Sequence, residues 1–186
     1  VLGDSLSAGF GLAPGQGWVA LLQQRLKKQG YGHRVVNASV SGETSTGGLA
    51  RLPRALDVHR PAVAILQLGA NDGLRGLPPQ ATGDNLARMV RLLKSRGARV
   101  VLVGIQMPPN YGPRYAAEFS ALYQAIAARE RVALVPFLLD GVAMQRSLMQ
   151  DDNLHPNESA QPRMLENVWP RLRPLLRSAT RQHKAG

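Results

Sequence analysis

The chain has 186 residues, 44% of them hydrophobic, and no cysteine. That suits one domain with a substantial core and excludes disulfides, thiolate metal sites and cysteine nucleophiles. The formal charge of +11 comes from 23 Lys and Arg against 12 Asp and Glu, but the cations are dispersed over would-be outer helix faces and aromatics reach only 5%, which argues against a dedicated nucleic-acid groove and for solvated faces loosely attracted to anionic surfaces.

In chain order, Val1-Leu2-Gly3 reads as the tail end of a strand. Strands average about 5 to 6 residues, so upstream residues, a leader among them, are expected. Val19, Leu22 and Leu26 then repeat at helical spacing as far as Gly30, and residues 35–37 read as a second, buried strand. Leu49, Leu52 and Leu56 predict a helix that Pro53 should kink or restart. A third strand falls at 62–68, followed by a helix carrying Leu86, Val90 and Leu93. A fourth strand at 100–104 precedes a helix with Phe119, Leu122 and Ile126; a fifth at 133–135 precedes one with Leu165, Val168, Leu172 and Leu176.

Strands alternating with helices predict parallel strands covered on both sides, a doubly wound α/β domain over residues 1–178 with a polar tail at 179–186. The apolar runs fall well short of the roughly 20 residues a membrane span requires. No repeat, low-complexity tract or linker divides the chain.

Sites in such sheets form at the C-terminal ends of the strands, and the polar, glycine-rich segments fall there. They are residues 3–9, 37–48, 69–76 and 106–112, with Asp152 and His155 following the fifth strand. A serine, a histidine and a carboxylate supply acyl-transfer chemistry: a hydroxyl attacks well only when a base takes its proton, and a carboxylate fixes the tautomer of that base. Pro156 keeps His155 off a helix. Taken singly, these residues have plainer readings. Ser5 or Ser7 could cap a helix, Asn71-Asp72-Gly73 is a strong turn signal, and Gly42 could merely permit a turn. Asp151 competes with Asp152, while His33, His59 and His183 read as solvated or structural.

Other motifs fail. Gly9-Phe10-Gly11 with Gly15 misses the dinucleotide spacing, Ser5 lacks the Gly-x-Ser-x-Gly elbow, and no histidine pair has zinc-binding spacing.

Four segments in order, Gly3-Asp4-Ser5-Leu6-Ser7, Gly42 within 37–44, Gly69-Ala70-Asn71-Asp72 and Asp152-Asn153-Leu154-His155-Pro156, resemble the four blocks of the GDSL, or SGNH, hydrolases. Residues 47–53, 71–76 and 109–115 resemble the branch of multifunctional acyl-CoA thioesterases, lysophospholipases and arylesterases. The resemblance implies a flavodoxin-like three-layer α/β/α sandwich with a mostly five-stranded parallel sheet, no cofactor or metal, and a periplasmic or secreted enzyme; the sequence leaves the oligomeric state open, with a monomer favoured. It assigns Ser5 as nucleophile, His155 as general base and then acid, and Asp152 as its orienting carboxylate. The Ser5 and Gly42 amides with the Asn71 side chain would form the oxyanion hole. Leu74, Leu77, Met107, Pro108, Tyr111 and Tyr115 would line an apolar acyl groove, with 73–78 as a mobile loop over it. Two features depart from the branch: Ala70, where glycine is common, and the high positive charge.

The expected activity is hydrolysis of small-molecule esters and thioesters through an acyl-serine. The alternatives are a carbohydrate O-acetylesterase of the same family and a noncatalytic flavodoxin-like module that holds an anion in its glycine-rich loops.

Overall fold

The structure is a computed structural model that describes residues 1–182; His183, read above as structural, and residues 184–186 of the expected tail lie outside the described residues. In chain order the elements are β1 (Leu2–Gly3), α1 (Ser5–Ala8), α2 (Trp18–Lys28), α3 (Ser45–His59), β2 (Val63–Gln67), α4 (Ala70–Leu74), α5 (Pro79–Ser95), β3 (Arg99–Val103), α6 (Pro113–Glu130), β4 (Ala133–Val135) and α7 (Gln161–Gln182). The strands are all parallel and lie in the order β1-β2-β3-β4. Residues 179–182 of the expected tail continue α7.

Side chains alternate across each strand, so each strand feeds two cores. Leu66 and Leu102 pack with Leu52, Leu86, Phe119 and Ile126 beneath α3, α5 and α6. Ile65, Val101 and Val103 pack with Trp18, Leu22, Val168 and Leu172 beneath α2 and α7. The result is a three-layer α/β/α sandwich. The apolar faces hold α3 together through Pro53, in place of the expected kink or restart: Pro53 is exposed, whereas Leu52 and Leu56 on either side are buried.

The sheet has four strands rather than the expected five. Residues 35–37 are extended but form no regular strand, because β1 offers only a short edge to pair with. Val1 N donates to Val36 O at 2.8 Å, Ala38 N to Val1 O at 2.8 Å and Val40 N to Gly3 O at 3.0 Å, the pattern of parallel neighbours. This segment therefore flanks β1 on one side and β2 flanks it on the other. β1 ends at the point where connections leave in both directions, which is where a doubly wound sheet opens a crevice.

Two short helices replace expected loops at that crevice. α1 begins at Ser5, capped by Asp4, whose Oδ1 accepts from Leu6 N at 3.0 Å, so neither Ser5 nor Ser7 is the cap. Ser7 is instead buried and donates to Gln67 Oε1 at 2.5 Å, tying α1 to the end of β2. A Cβ on Gly3 would stand 2.8 Å from that same Gln67 oxygen, so only glycine lets β1 approach. α4 occupies the Asn71-Asp72-Gly73 turn signal. Among the described residues no helix is long and apolar enough to cross a membrane.

Candidate active site

Ser5 and His155, 150 residues apart in sequence, meet above the end of β1. His155 Nε2 lies 2.9 Å from Ser5 Oγ and His155 Nδ1 lies 2.6 Å from Asp152 Oδ2. The other oxygen of Asp152 accepts from the backbone amides of Leu154 and His155, both at 2.9 Å. Those bonds, the His155 amide first and its ring next, hold the Asp152 carboxyl down at about 2, so it is an anion at neutral pH. An anionic carboxylate only accepts, so it takes the Nδ1–H and leaves Nε2 bare toward the Ser5 hydroxyl. The His155 side chain is 14% exposed and that of Asp152 39%.

The loop that carries them is braced from behind. Gln150 N donates to His155 O at 2.7 Å, Asn157 N to Leu148 O at 2.8 Å, and Met149 bridges Pro156. Asp151 points elsewhere, fully exposed with an Arg146 guanidinium at 3.4 Å, and takes no part in the chain to Ser5.

Ser5, Gly42 and Asn71 share one cavity. Gly42 has φ 80°, a conformation that disfavours side chains with a Cβ. Asn71 Nδ2 donates one hydrogen to Glu43 O at 3.0 Å. Its amide is thereby oriented and keeps a second N–H to give. Behind it the fully buried Asp72 accepts from Ser45 N at 2.8 Å and Ser45 Oγ at 2.5 Å, locking α4 to the start of α3. Asn37 Nδ2 donates to Ser7 O at 2.8 Å and so fixes the segment leading to Gly42 against α1.

The cavity has a volume of about 520 Å³ and is mainly apolar. Of the residues expected in an acyl groove, Leu74, Met107 and Pro108 line this cavity, whereas Leu77, Tyr111 and Tyr115 do not. Tyr111 instead donates to Leu74 O at 2.9 Å and Tyr115 to Leu77 O at 2.8 Å, so both phenols bind the backbone of the 73–77 loop while their rings pack against the core. Leu77 is exposed. Phe10, Ile105, Phe137, Leu139, Met144 and Leu154 also line it, beyond the residues expected from the sequence. Phe137 and Leu139 follow β4 as directly as Met107 follows β3, so the strand-end rule applied to the last strand would have found them.

His33 and His59 lie around a smaller cavity of about 280 Å³ that is also lined by Val1 and by Val63, the first residue of β2. They are thus toward the N-terminal ends of β1 and β2, whereas Ser5 follows the C-terminal end of β1. Burial, then Arg99, pushes His33 down from its ordinary value. Among the described residues no group of three or more His, Asp or Glu could hold a metal ion.

Residues 1–161 match the GDSL-like Lipase/Acylhydrolase family. The chain belongs to that family. It is 58% identical over 176 residues to Esterase TesA of Pseudomonas aeruginosa, covering 95% of this chain and 88% of that one. It is 43% identical, again over 176 residues, to Thioesterase 1/protease 1/lysophospholipase L1 of Escherichia coli K12, covering 95% and 83%. Among solved structures, the psychrotrophic esterase EstA from Pseudoalteromonas sp., in a form inhibited by monoethylphosphonate, superposes with a TM-score of 0.90 at 39% identity, covering 95% of this chain and 96% of EstA.

Proposed function

We propose that Ser5 is the nucleophile of an acyl-transfer reaction, His155 its general base and then acid, and Asp152 the carboxylate that orients His155. The carrying observation is the 2.6 and 2.9 Å chain from Asp152 through His155 to Ser5, set at an apolar cavity. The protein is a serine hydrolase of carboxylic esters and thioesters, in keeping with the esterase and thioesterase names of its relatives.

As Ser5 Oγ attacks the carbonyl carbon, its proton passes to His155 Nε2, and the imidazolium is balanced by anionic Asp152. The carbonyl oxygen takes the electron pair and receives hydrogen bonds from the Ser5 and Gly42 amides and the second Asn71 N–H, each donor contributing about 10²- to 10³-fold. Collapse expels the alcohol, which takes the proton from His155; a thiolate, the weaker base, depends less on that proton. Water, deprotonated by His155, then attacks the acyl-serine; collapse breaks the bond to Ser5 Oγ, releases the carboxylic acid, and His155 returns the proton to Ser5.

The acyl chain of the substrate occupies the apolar cavity beside Leu74, Met107 and Pro108. Its lining favours lipid-type acyl groups over the acetyl-sugar reading, which would call for polar groups around the carbonyl. On this reading residues 1–178 act as one domain and as a monomer, on substrates met in the periplasm or outside the cell. Wild type should hydrolyse p-nitrophenyl esters and acyl-CoA, and Ser5→Ala should hydrolyse neither. Equal turnover by Ser5→Ala would refute the assignment, and an inactive wild type would favour the anion-holding module.

A further inference from the structure

Phe10 is a large apolar side chain that belongs to neither core and stands 48% exposed. Its ring lies over the His155 imidazole, with centroids 4.4 Å apart and planes tilted by 37°. Asp152 and Ser5 engage the two imidazole nitrogens along the edge of the ring. Those two bonds fix an axis but leave the ring free to rock about it, and Phe10 closes one face against that motion.

The position of Phe10 is itself secured from both sides of the site. Phe10 N donates to Ser5 O at 3.2 Å. Phe10 O accepts from Gln150 Nε2 at 2.8 Å, and the same amide nitrogen donates to Pro156 O at 3.0 Å. Gln150 N closes the circuit on His155 O at 2.7 Å. The nucleophile, the aromatic ring and the base are thus joined in one ring of hydrogen bonds through the short turn after α1 and the 150–156 loop.

We propose that Phe10, fastened by Gln150, is a positioning residue for His155 that holds the imidazole in the plane of Ser5 and Asp152 and stabilises its protonated form through the aromatic face. The proposal rests on the reading of His155 as general base. In both chemical steps His155 gains a proton in the transition state, and a cation over the face of a benzene ring is attracted by the ring's negative charge lobe. At a half-exposed position that contact is worth about two- to fivefold in a protonation equilibrium. The charged groups facing His155 are Asp152 in its own loop and Asp4 before α1. From the neighbouring turn Arg146 bonds Gln150 O at 2.9 Å and pairs with Asp151. All four are the same in the variants below, so changes between variants report on the ring.

Phe10→Leu keeps an apolar cover and loses the aromatic face. It should lower kcat about two- to fivefold on an acetyl ester with little change in KM, and move the acidic limb of the pH–rate profile to lower pH by roughly 0.3 to 0.7 unit. Phe10→Tyr should restore both. Gln150→Leu should lower kcat similarly in the wild-type background and add little to Phe10→Leu, because the two act as one unit. Wild-type kcat and limb in Phe10→Leu, an effect confined to KM, or additive losses in the double variant would each overturn the proposal. His155→Ala separates the layers: if it keeps turnover, the reading of the base has failed, whereas an inactive His155→Ala beside a normal Phe10→Leu condemns the clamp alone.

Discussion

Replacing Asp4 by asparagine should change how stability depends on pH. Asp4 is wholly buried, and its Oδ1 accepts from Leu6 N and from Gln67 Nε2, both at 3.0 Å. Its Oδ2 has no hydrogen-bond partner among the described residues, and burial raises the carboxyl from 3.8 to about 6. Between those values the unfolded chain has released this proton while the folded chain still holds it. The unfolded state therefore binds fewer protons, and stability falls as pH rises, by about 1.4 kcal/mol per unit and about 3 kcal/mol across the window. It is flat below and above. An asparagine side chain cannot ionise, yet its carbonyl oxygen can keep both bonds. Any fixed cost of burying its NH₂ is the same at every pH, so the decisive quantity is the change in the difference between the two proteins. Urea denaturation followed by circular dichroism at pH 4, 5, 6 and 7 should show Asp4→Asn gaining about 2.5 kcal/mol on wild type from the lowest pH to the highest, the unfolded carboxyl being already more than half ionised at pH 4. Asp152, depressed to about 2, contributes its stability above the unfolded carboxyl value and so is constant over this range. Parallel stability curves for the two proteins would mean that Asp4 titrates alike in the folded and unfolded chains.

Two other substitutions probe the chemistry and the cavity. Asn71→Ala should fold, by circular dichroism, while kcat falls about 10²-fold or more with little change in KM, because the charge it is proposed to stabilise arises in the transition state; an unchanged kcat would leave Asn71 only its bond to Glu43 O. For medium-chain against acetyl p-nitrophenyl esters, kcat/KM should climb severalfold, each buried methylene adding up to about 0.8 kcal/mol, and Met107→Ala should flatten that climb more than it lowers acetyl turnover. A preference for acetyl, or an equal loss at every chain length, would favour the carbohydrate O-acetylesterase.

Much of this architecture was legible in the sequence, for reasons that differ by region. Leu86, Val90 and Leu93, like Val100 to Val103, carry a period that only burial imposes, and α5 and β3 follow it. Residues 35–37 carried the same apolar signal, but a strand also needs a neighbour long enough to pair with, and β1 supplies two residues. That Ser5, Asp152 and His155 would lie together was readable because strand-end loops of an α/β sheet converge, and the structure brings the three within hydrogen-bond reach. The lining was less readable, since any apolar residue suits a cavity and a tyrosine near one can face away from it. Tyr111 and Tyr115 do so because the loop carbonyls of Leu74 and Leu77 need donors. Ser7 could not be told from a cap without knowing that Gln67 ends the neighbouring strand.

If His155 activates one hydroxyl, Ser5, a serine-directed fluorophosphonate should find that residue above all others. Peptide mass mapping after labelling should place a single adduct on Ser5, with labelling abolished in Ser5→Ala and slowed by orders of magnitude in His155→Ala. An adduct on Ser7 or Ser41, or undiminished labelling of Ser5→Ala, would contradict that activation.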